Sequence, residues 1–148
     1  MTDAAILAPA AVLILWSIVM LVWMALTRLP AMAKLAKTKN ATGALSKAKP
    51  GARGHELEGR IPDEVNWKAH NYTHLMEQPT VFYAVVLILA MVGATQDTIV
   101  AAWLYTGLRV VHSLWQAMVN TLPVRFTLFF ASTLALGYLA VRALAATL

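Results

Sequence analysis

The 148-residue chain contains no cysteine and has few charged residues. The lack of cysteine excludes disulfides and thiolate metal sites, so any thiol chemistry must use a thiol that a substrate brings. Only 13% of the residues are charged and 59% are hydrophobic, whereas a typical soluble domain is about 25% charged. The mean hydropathy is +0.64. This composition predicts an integral membrane protein.

Long segments without charge account for most of this hydropathy. The first, Ala4–Thr27, is uncharged over 24 residues and has no basic residue before it. These features favour a membrane span over a cleaved signal peptide. We predict an all-α bundle of four transmembrane helices that forms a single domain over residues 1–148. The predicted spans are residues 5–27, 75–95, 99–119 and 124–146, and the helix of the second span is predicted to start earlier, near Asn66.

The connection between the first two spans is long and basic, and we predict a loop over residues 28–70. Its basic residues after Arg28 are Lys34, Lys37, Lys39, Lys47, Lys49, Arg53, Arg60 and Lys68. Basic residues near span ends mark the cytoplasmic side, so the loop is predicted to be cytoplasmic and both termini to lie on the other side. The net charge of +5 therefore indicates a membrane face rather than nucleic-acid binding.

Polar residues recur at helical spacing inside the apolar segments. They are His70, His74 and Glu77 near the start of the second span, and Arg109, His112, Gln116 and Asn120 in the third. Each set lies on one face of its helix. A charge such as Arg109 near mid-membrane costs roughly 2.5–3.5 kcal/mol on insertion scales, so it should face a partner or a wet cavity. Both faces converge in the cytoplasmic half, close to Arg125 at the start of the fourth span.

Three interpretations of these polar residues are open on spacing alone. They can hold helices together by hydrogen bonds. Glu77 and Arg109 can form a structural ion pair. A zinc site is the third interpretation, because imidazole and carboxylate groups are acceptable zinc ligands; its ligands would be His70, His74, Glu77 and His112.

The same residues resemble motifs of the MAPEG family, the membrane-associated proteins in eicosanoid and glutathione metabolism. The likeness is to its microsomal glutathione transferases and their bacterial members, and it covers nearly the whole chain. The first motif, HNYTHLMEQP at residues 70–79, matches an arginine, asparagine, glutamate and proline pattern. The second is GLRVVHS at residues 107–113, and the third is Arg125 followed by Phe129 and Phe130.

This resemblance implies a homotrimer with a glutathione site between subunits, open to the cytoplasm. Arg125 matches the catalytic arginine that stabilises the glutathione thiolate, and a nearby cation does lower a thiol pKa. The implied glutathione-binding residues are His70, His74, Glu77, Arg109 and His112, and no metal is implied. Glutathione would be a co-substrate beside a hydrophobic small molecule. Membrane lipids would surround the protein, in the inner membrane of a bacterium.

Two functions are compatible with these residues. The first is a glutathione-dependent transferase or peroxidase acting on lipophilic electrophiles or lipid hydroperoxides, and the presence of Arg125 and Glu77 favours it. The second is a non-catalytic membrane module that binds a lipid or a partner in the same cleft. His70 and His74 replace the arginine and asparagine of the family pattern, and this part of the third span has none of the family's tyrosines. Both departures favour the second function.

Overall fold

The computed structural model describes residues 4–37 and 54–148, and in this part of the chain all regular structure is helical. The helices are α1 (Leu7–Lys37), α2 (Asp63–Val92), α3 (Gln96–Met118) and α4 (Leu122–Thr147). A short 3-10 segment, Gly54–Leu57, precedes α2. The prediction of an all-α fold with four long helices is confirmed.

Sequence signals account for the helix ends. Pro62 lies at the N-cap of α2, followed by Asp63 and Glu64 in the first turn, where carboxylates complement the helix dipole. Thr95 and Thr98 form a reciprocal capping box at the start of α3. Asn120 closes the turn after α3 with a left-handed φ of 56°, a conformation that asparagine tolerates better than most residues.

The helices pack as a bundle in which α2 and α3 are central. α1 packs on α2 and α3, and α4 packs on the same two helices. Phe82 and Tyr105 stack at the centre with ring centroids 4.3 Å apart, and Leu13, Met20 and Leu139 are buried around them. Many large apolar side chains instead point outward, for example Leu15, Met91, Leu104, Leu134 and Val141. An apolar exterior around a small core is expected for a protein solvated by lipid.

Three of the four helices, α1, α2 and α4, are long and apolar enough to cross a membrane. α3 is not among them because its hydropathy is lowered by Arg109, His112 and other polar residues. These side chains are buried against the other helices, whereas Leu104 and Val111 are exposed on the outside of α3. At about 1.5 Å per residue, the 23 residues of α3 extend over about 35 Å. The length and the apolar outer surface of α3 are compatible with a fourth span.

Helix extends into both ends of the predicted loop. α1 continues through Pro30 to Lys37. α2 begins at Asp63, close to the predicted helix start near Asn66 and well before the predicted span at residue 75. The apolar run that predicted the second span starts late because the first three turns of α2 are polar. Four of the loop's basic residues lie outside the described part of the chain: Lys39, Lys47, Lys49 and Arg53.

Contacts of α1 and α2 show which residues of the two helices lie at the same depth in the bundle. The Lys68 ammonium lies 5.4 Å from the centre of the Trp23 ring. Deeper in the bundle, Trp16 and Asn71 both donate to Ser113. Asn71 is therefore level with Trp16, which lies in the middle of the predicted first span. The polar start of α2 thus runs beside the apolar part of α1.

Candidate functional site

A buried polar face runs along α3 and positions most of the candidate residues. Arg109, His112, Ser113 and Gln116 are each at most 2% exposed. They occur at intervals of three or four residues, so they share one side of the helix. This side faces the bundle interior, which keeps the polar groups away from lipid.

Arg109 is enclosed within the subunit. Its Nη2 donates to the backbone carbonyl of His74 at 2.9 Å. Its Nε and Nη1 are buried and have no hydrogen-bond partner among the described residues. Two donors of a buried cation are therefore free to bind another group. Glu77 is not that group, because within the described chain its carboxylate forms no salt bridge and is exposed on the outside of α2.

His74, His112 and Phe129 form an aromatic cluster between α2, α3 and α4. The two imidazole rings stack with centroids 5.9 Å apart and an interplanar angle of 15°. The Phe129 ring lies 6.4 Å from each imidazole. The structure thus brings together one residue from each of the three sequence motifs.

Arg125 lies in the first turn of α4 and is half-buried. Its Nη1 donates to the side-chain oxygen of Asn120 at 2.6 Å. The rest of the guanidinium makes no hydrogen bond to the described residues. Arg125 is close enough to act electrostatically on both His74 and His112. A fixed cation with free donors next to an aromatic wall is suited to binding an anion.

His70 has a different partner from the other candidates. Its Nε2 lies 2.9 Å from Glu58 Oε1, and both side chains are about half exposed, at 48% and 53%. Nearby, Arg28 donates to the carbonyl of Gly54 at 2.6 Å. These two contacts hold the 3-10 segment against α1 and α2. His70 therefore anchors this segment, and its imidazole does not join the stack of His74 and His112.

Asn71 and Ser113 are structurally central but were not among the predicted site residues. The Ser113 hydroxyl accepts hydrogen bonds from Asn71 Nδ2 at 2.7 Å and from Trp16 Nε1 at 2.9 Å. One hydroxyl thereby joins α1, α2 and α3. The signal was present in the sequence, because Asn71 and Ser113 both belong to the quoted motifs, yet nothing in it indicated that they contact each other.

The zinc interpretation has no support in the described part of the chain, where no group of three or more suitable side chains is placed to hold a metal ion. His70 pairs with Glu58, and the exposed Glu77 forms no salt bridge within the described residues. Stacked rings also direct their nitrogen atoms side by side rather than toward a common point. The geometry is that of two stacked imidazoles on which the cations of Arg109 and Arg125 act electrostatically.

The MAPEG family model matches residues 6–145 of the chain. The chain belongs to the MAPEG family. Comparison with curated proteins finds no match, and comparison with solved structures finds none either.

MAPEG membership gives the site a chemical context. The family includes glutathione transferases and peroxidases and is associated with glutathione generally. Its members are generally trimers. In this MAPEG chain the cations of Arg109 and Arg125 surround the stacked imidazoles, and the acidic Glu77 lies one turn away from His74 on α2.

Proposed function

We propose that this protein is a glutathione-dependent transferase or peroxidase acting on lipophilic electrophiles or lipid hydroperoxides, with Arg125 as the catalytic residue. The observation that carries the proposal is the hydrogen bonding and burial of Arg125. Its guanidinium donates one hydrogen bond, to the side-chain oxygen of Asn120, and makes no other hydrogen bond to the described residues. It is half-buried and acts electrostatically on the stacked imidazoles. A thiolate is the reactive form of a thiol, and a nearby cation favours it.

The charges of the site fit glutathione, which carries two carboxylates, one ammonium and a thiol. Arg125 provides free donors for a thiolate or a carboxylate, and Glu77 provides an exposed carboxylate for the ammonium. Arg109 is at most 1% exposed, so we propose that it acts through its field and through its hydrogen bond to the His74 carbonyl. His74, His112 and Phe129 then form the wall of the pocket, and His70 supports it through the anchored 3-10 segment.

The chemistry assigned to the chain is charge stabilisation. In the transfer reaction a thiolate sulfur forms a bond to an electrophilic carbon, and a leaving group departs or a proton is taken from water. Arg125 stabilises the sulfur anion before the attack. An unshifted thiol of pKa about 8.5 is only about 3% ionised at pH 7, so full ionisation raises the reactive fraction by at most about thirtyfold.

The N-terminus of α4 adds to this effect. Arg125 is the fourth residue of the helix, and its own N–H bonds the Thr121 carbonyl. The N–H groups of Leu122 and Val124, which precede it, lack intrahelical partners. The helix dipole is positive at this end. Both contributions favour an anion beside Arg125.

We also propose that all four helices span the membrane and that three subunits assemble. Glu77 is the single charged residue in the outward stripe of α2 that runs from Met76 to Met91. A carboxylate facing hydrocarbon is costly, so a neighbouring subunit should cover it. The basic loop would lie in the cytoplasm by the positive-inside rule, and the membrane would be the inner membrane of a bacterium.

A non-catalytic binding module is the second candidate, and a groove on the outside of α1 and α2 favours it. This mid-membrane groove, of about 270 Å³, is lined by Ile14, Ser17, Ile18, Leu21, Tyr72, Met76 and Tyr83. It is mainly apolar and suits a lipid tail. A lipid bound there needs neither a thiol nor Arg125.

Thiolate absorbance in the ultraviolet separates the two candidates. Glutathione bound to the solubilised wild-type protein should ionise with a midpoint below about 8.5. Arg125→Ala should return the midpoint toward that value, and Arg125→Lys should give an intermediate result because an ammonium lacks the planar fork of donors. Thr127→Ala is the matched control, since the exposed Thr127 hydroxyl only bonds Pro123 of its own helix. Identical curves for wild type and Arg125→Ala would leave the enzyme proposal without its catalytic residue.

A further inference from the structure

A second groove opens between the end of α1 and the segment that leads into α2, and it shares no residue with the glutathione site. We call it the interfacial groove. Its volume is about 440 Å³, and its walls are mainly apolar, with Pro30, Ala31, Ile61 and Val65 among them. Two cations, Lys34 and Arg60, also line it. We propose that this groove binds an anionic phospholipid, with the phosphate between Lys34 and Arg60 and the upper acyl chains on the apolar wall.

The cations are suited to a phosphate. Arg60 is exposed, and its guanidinium forms no hydrogen bond or ion pair with the residues that the structure describes. A guanidinium can bind two phosphate oxygens at once. The Lys34 ammonium has three donors and can bind a phosphate oxygen beside another partner. The acidic residues in the first turn of α2, Asp63 and Glu64, do not line the groove.

The depth of the groove also fits a lipid. One wall begins at Thr27, the last residue of the first uncharged stretch. Lys34 lies seven residues further along α1, about 10 Å at 1.5 Å per residue. The headgroup layer on each side of a bilayer is about 5–8 Å thick. The backbone of Lys34 therefore lies just beyond this layer, and its long, flexible side chain can reach back to the lipid phosphates, while the apolar wall lies toward the hydrocarbon.

The two cations and the apolar wall of the interfacial groove together favour a lipid over a free anion. A soluble phosphate would use only the two cations and would gain nothing from Pro30, Ala31 and Val65. A zwitterionic lipid would place a choline or ethanolamine ammonium near the same cations, which is unfavourable. An anionic phospholipid such as phosphatidylglycerol satisfies both the charge and the apolar surface.

The test is a titration of the full-length, detergent-solubilised protein with phosphatidylglycerol, followed by native mass spectrometry. We expect saturable binding that is at least about tenfold tighter than for phosphatidylcholine, because the choline ammonium of the latter repels Lys34 and Arg60 and offsets their attraction to its phosphate. Glycerol phosphate, a monoester with at least the charge of the lipid phosphate but without acyl chains, should bind at least about tenfold more weakly than the lipid. Equal binding of the two phospholipids, or glycerol phosphate as good as the lipid, would overturn the proposal.

Two lysines in the last turns of α1 provide a matched pair of variants. Lys34 lines the groove, whereas Lys37 does not, although both lie near the end of the same helix. Lys34→Gln and Arg60→Gln should each weaken phosphatidylglycerol binding about tenfold or more, and Lys37→Gln less than about twofold. Both Lys variants remove the same charge, so an equal loss for Lys34→Gln and Lys37→Gln would mean general attraction to a basic surface and would overturn the site.

Discussion

At the residue scale, Arg109 of α3 and Arg125 of α4 differ in what surrounds them. Arg109 is enclosed by the bundle and donates to a backbone carbonyl of α2. Arg125 is half-buried and is held by one side-chain contact to Asn120. A cation must be reachable to stabilise a reacting group, so the proposed chemistry is assigned to Arg125. Arg109 instead fixes the position of α2 relative to α3 and adds positive potential.

Asp97, at the opposite end of the bundle, gives a pH-dependent prediction. Its carboxylate accepts hydrogen bonds from Tyr138 and Arg142, which join the start of α3 to the end of α4. Hydrogen bonds from Thr95 and Tyr138, with the charge of Arg142, lower the pKa of Asp97 from 3.8 to about 2. A depressed pKa stabilises the folded state above the unfolded pKa, and this contribution is lost as the pH falls from about 4 to about 2.

Asp97→Asn should therefore lower the melting temperature at pH 7, where the wild-type carboxylate is ionised. The difference between the two proteins should shrink as the pH falls from about 4 to about 2, because the wild-type carboxyl becomes protonated there. Thermal unfolding in detergent at several pH values measures this difference. A gap that does not change with pH would show that the charge of Asp97 is not responsible for it.

At the element scale, the Ser113 hydroxyl joins three helices. It accepts from Trp16 on α1 and from Asn71 on α2 while belonging to α3. Ser113→Ala would leave two buried donors without an acceptor, and an unsatisfied buried group costs about 1–3 kcal/mol. Hydrogen bonds between helices in membranes are individually worth about 0.6–2 kcal/mol.

We expect Ser113→Ala to reduce the free energy of unfolding by about 1–2 kcal/mol. The measurement is unfolding in mixed micelles with increasing denaturing detergent. Thr127→Ala is the control, because its exposed hydroxyl bonds only its own helix, and its effect should be within about 0.5 kcal/mol of zero. Equal stability of Ser113→Ala and Thr127→Ala would contradict the bridging role of this hydroxyl.

The helices and the polar faces could be predicted from the sequence, but most contacts between elements could not. Uncharged runs indicate where helices cross lipid, and the spacing of Arg109, His112 and Gln116 places them on one face. The hydrogen bond between Asn71 and Ser113 joins residues 42 positions apart, and no local pattern encodes it. The contact of His70 with Glu58 was missed for a similar reason, since Glu58 lies in a segment with no helical periodicity. Nor does spacing show that Arg109 binds a carbonyl rather than Glu77.

At the scale of the whole molecule, a single subunit leaves a charge on an otherwise apolar surface. Glu77 is exposed among apolar residues of α2, as are its neighbours Met76 and Val81. In a trimer this stripe can face protein instead of lipid. The assembly and the glutathione site are thereby linked, because the cleft between subunits would contain Glu77.

Mass measurement in mild detergent should give three times the subunit mass of 16.1 kDa. Glu77→Leu should weaken the trimer, because it removes a polar contact between subunits. The leucine side chain would also be stable facing lipid, so the monomer would no longer expose a carboxylate there. Met76→Leu, on the same exposed stripe, should leave the assembly unchanged. A protein found only as a monomer, or a trimer strengthened by Glu77→Leu, would indicate that Glu77 faces lipid.

The central claim is that glutathione binds at the pocket beside Arg125, and calorimetric titration of the solubilised protein tests it most directly. The account predicts saturable binding of glutathione that weakens by about tenfold or more in Glu77→Gln, which removes the carboxylate for the ammonium. Thr127→Ala should bind like the wild type. The absence of saturable binding at millimolar glutathione, with the protein still folded, would contradict the account.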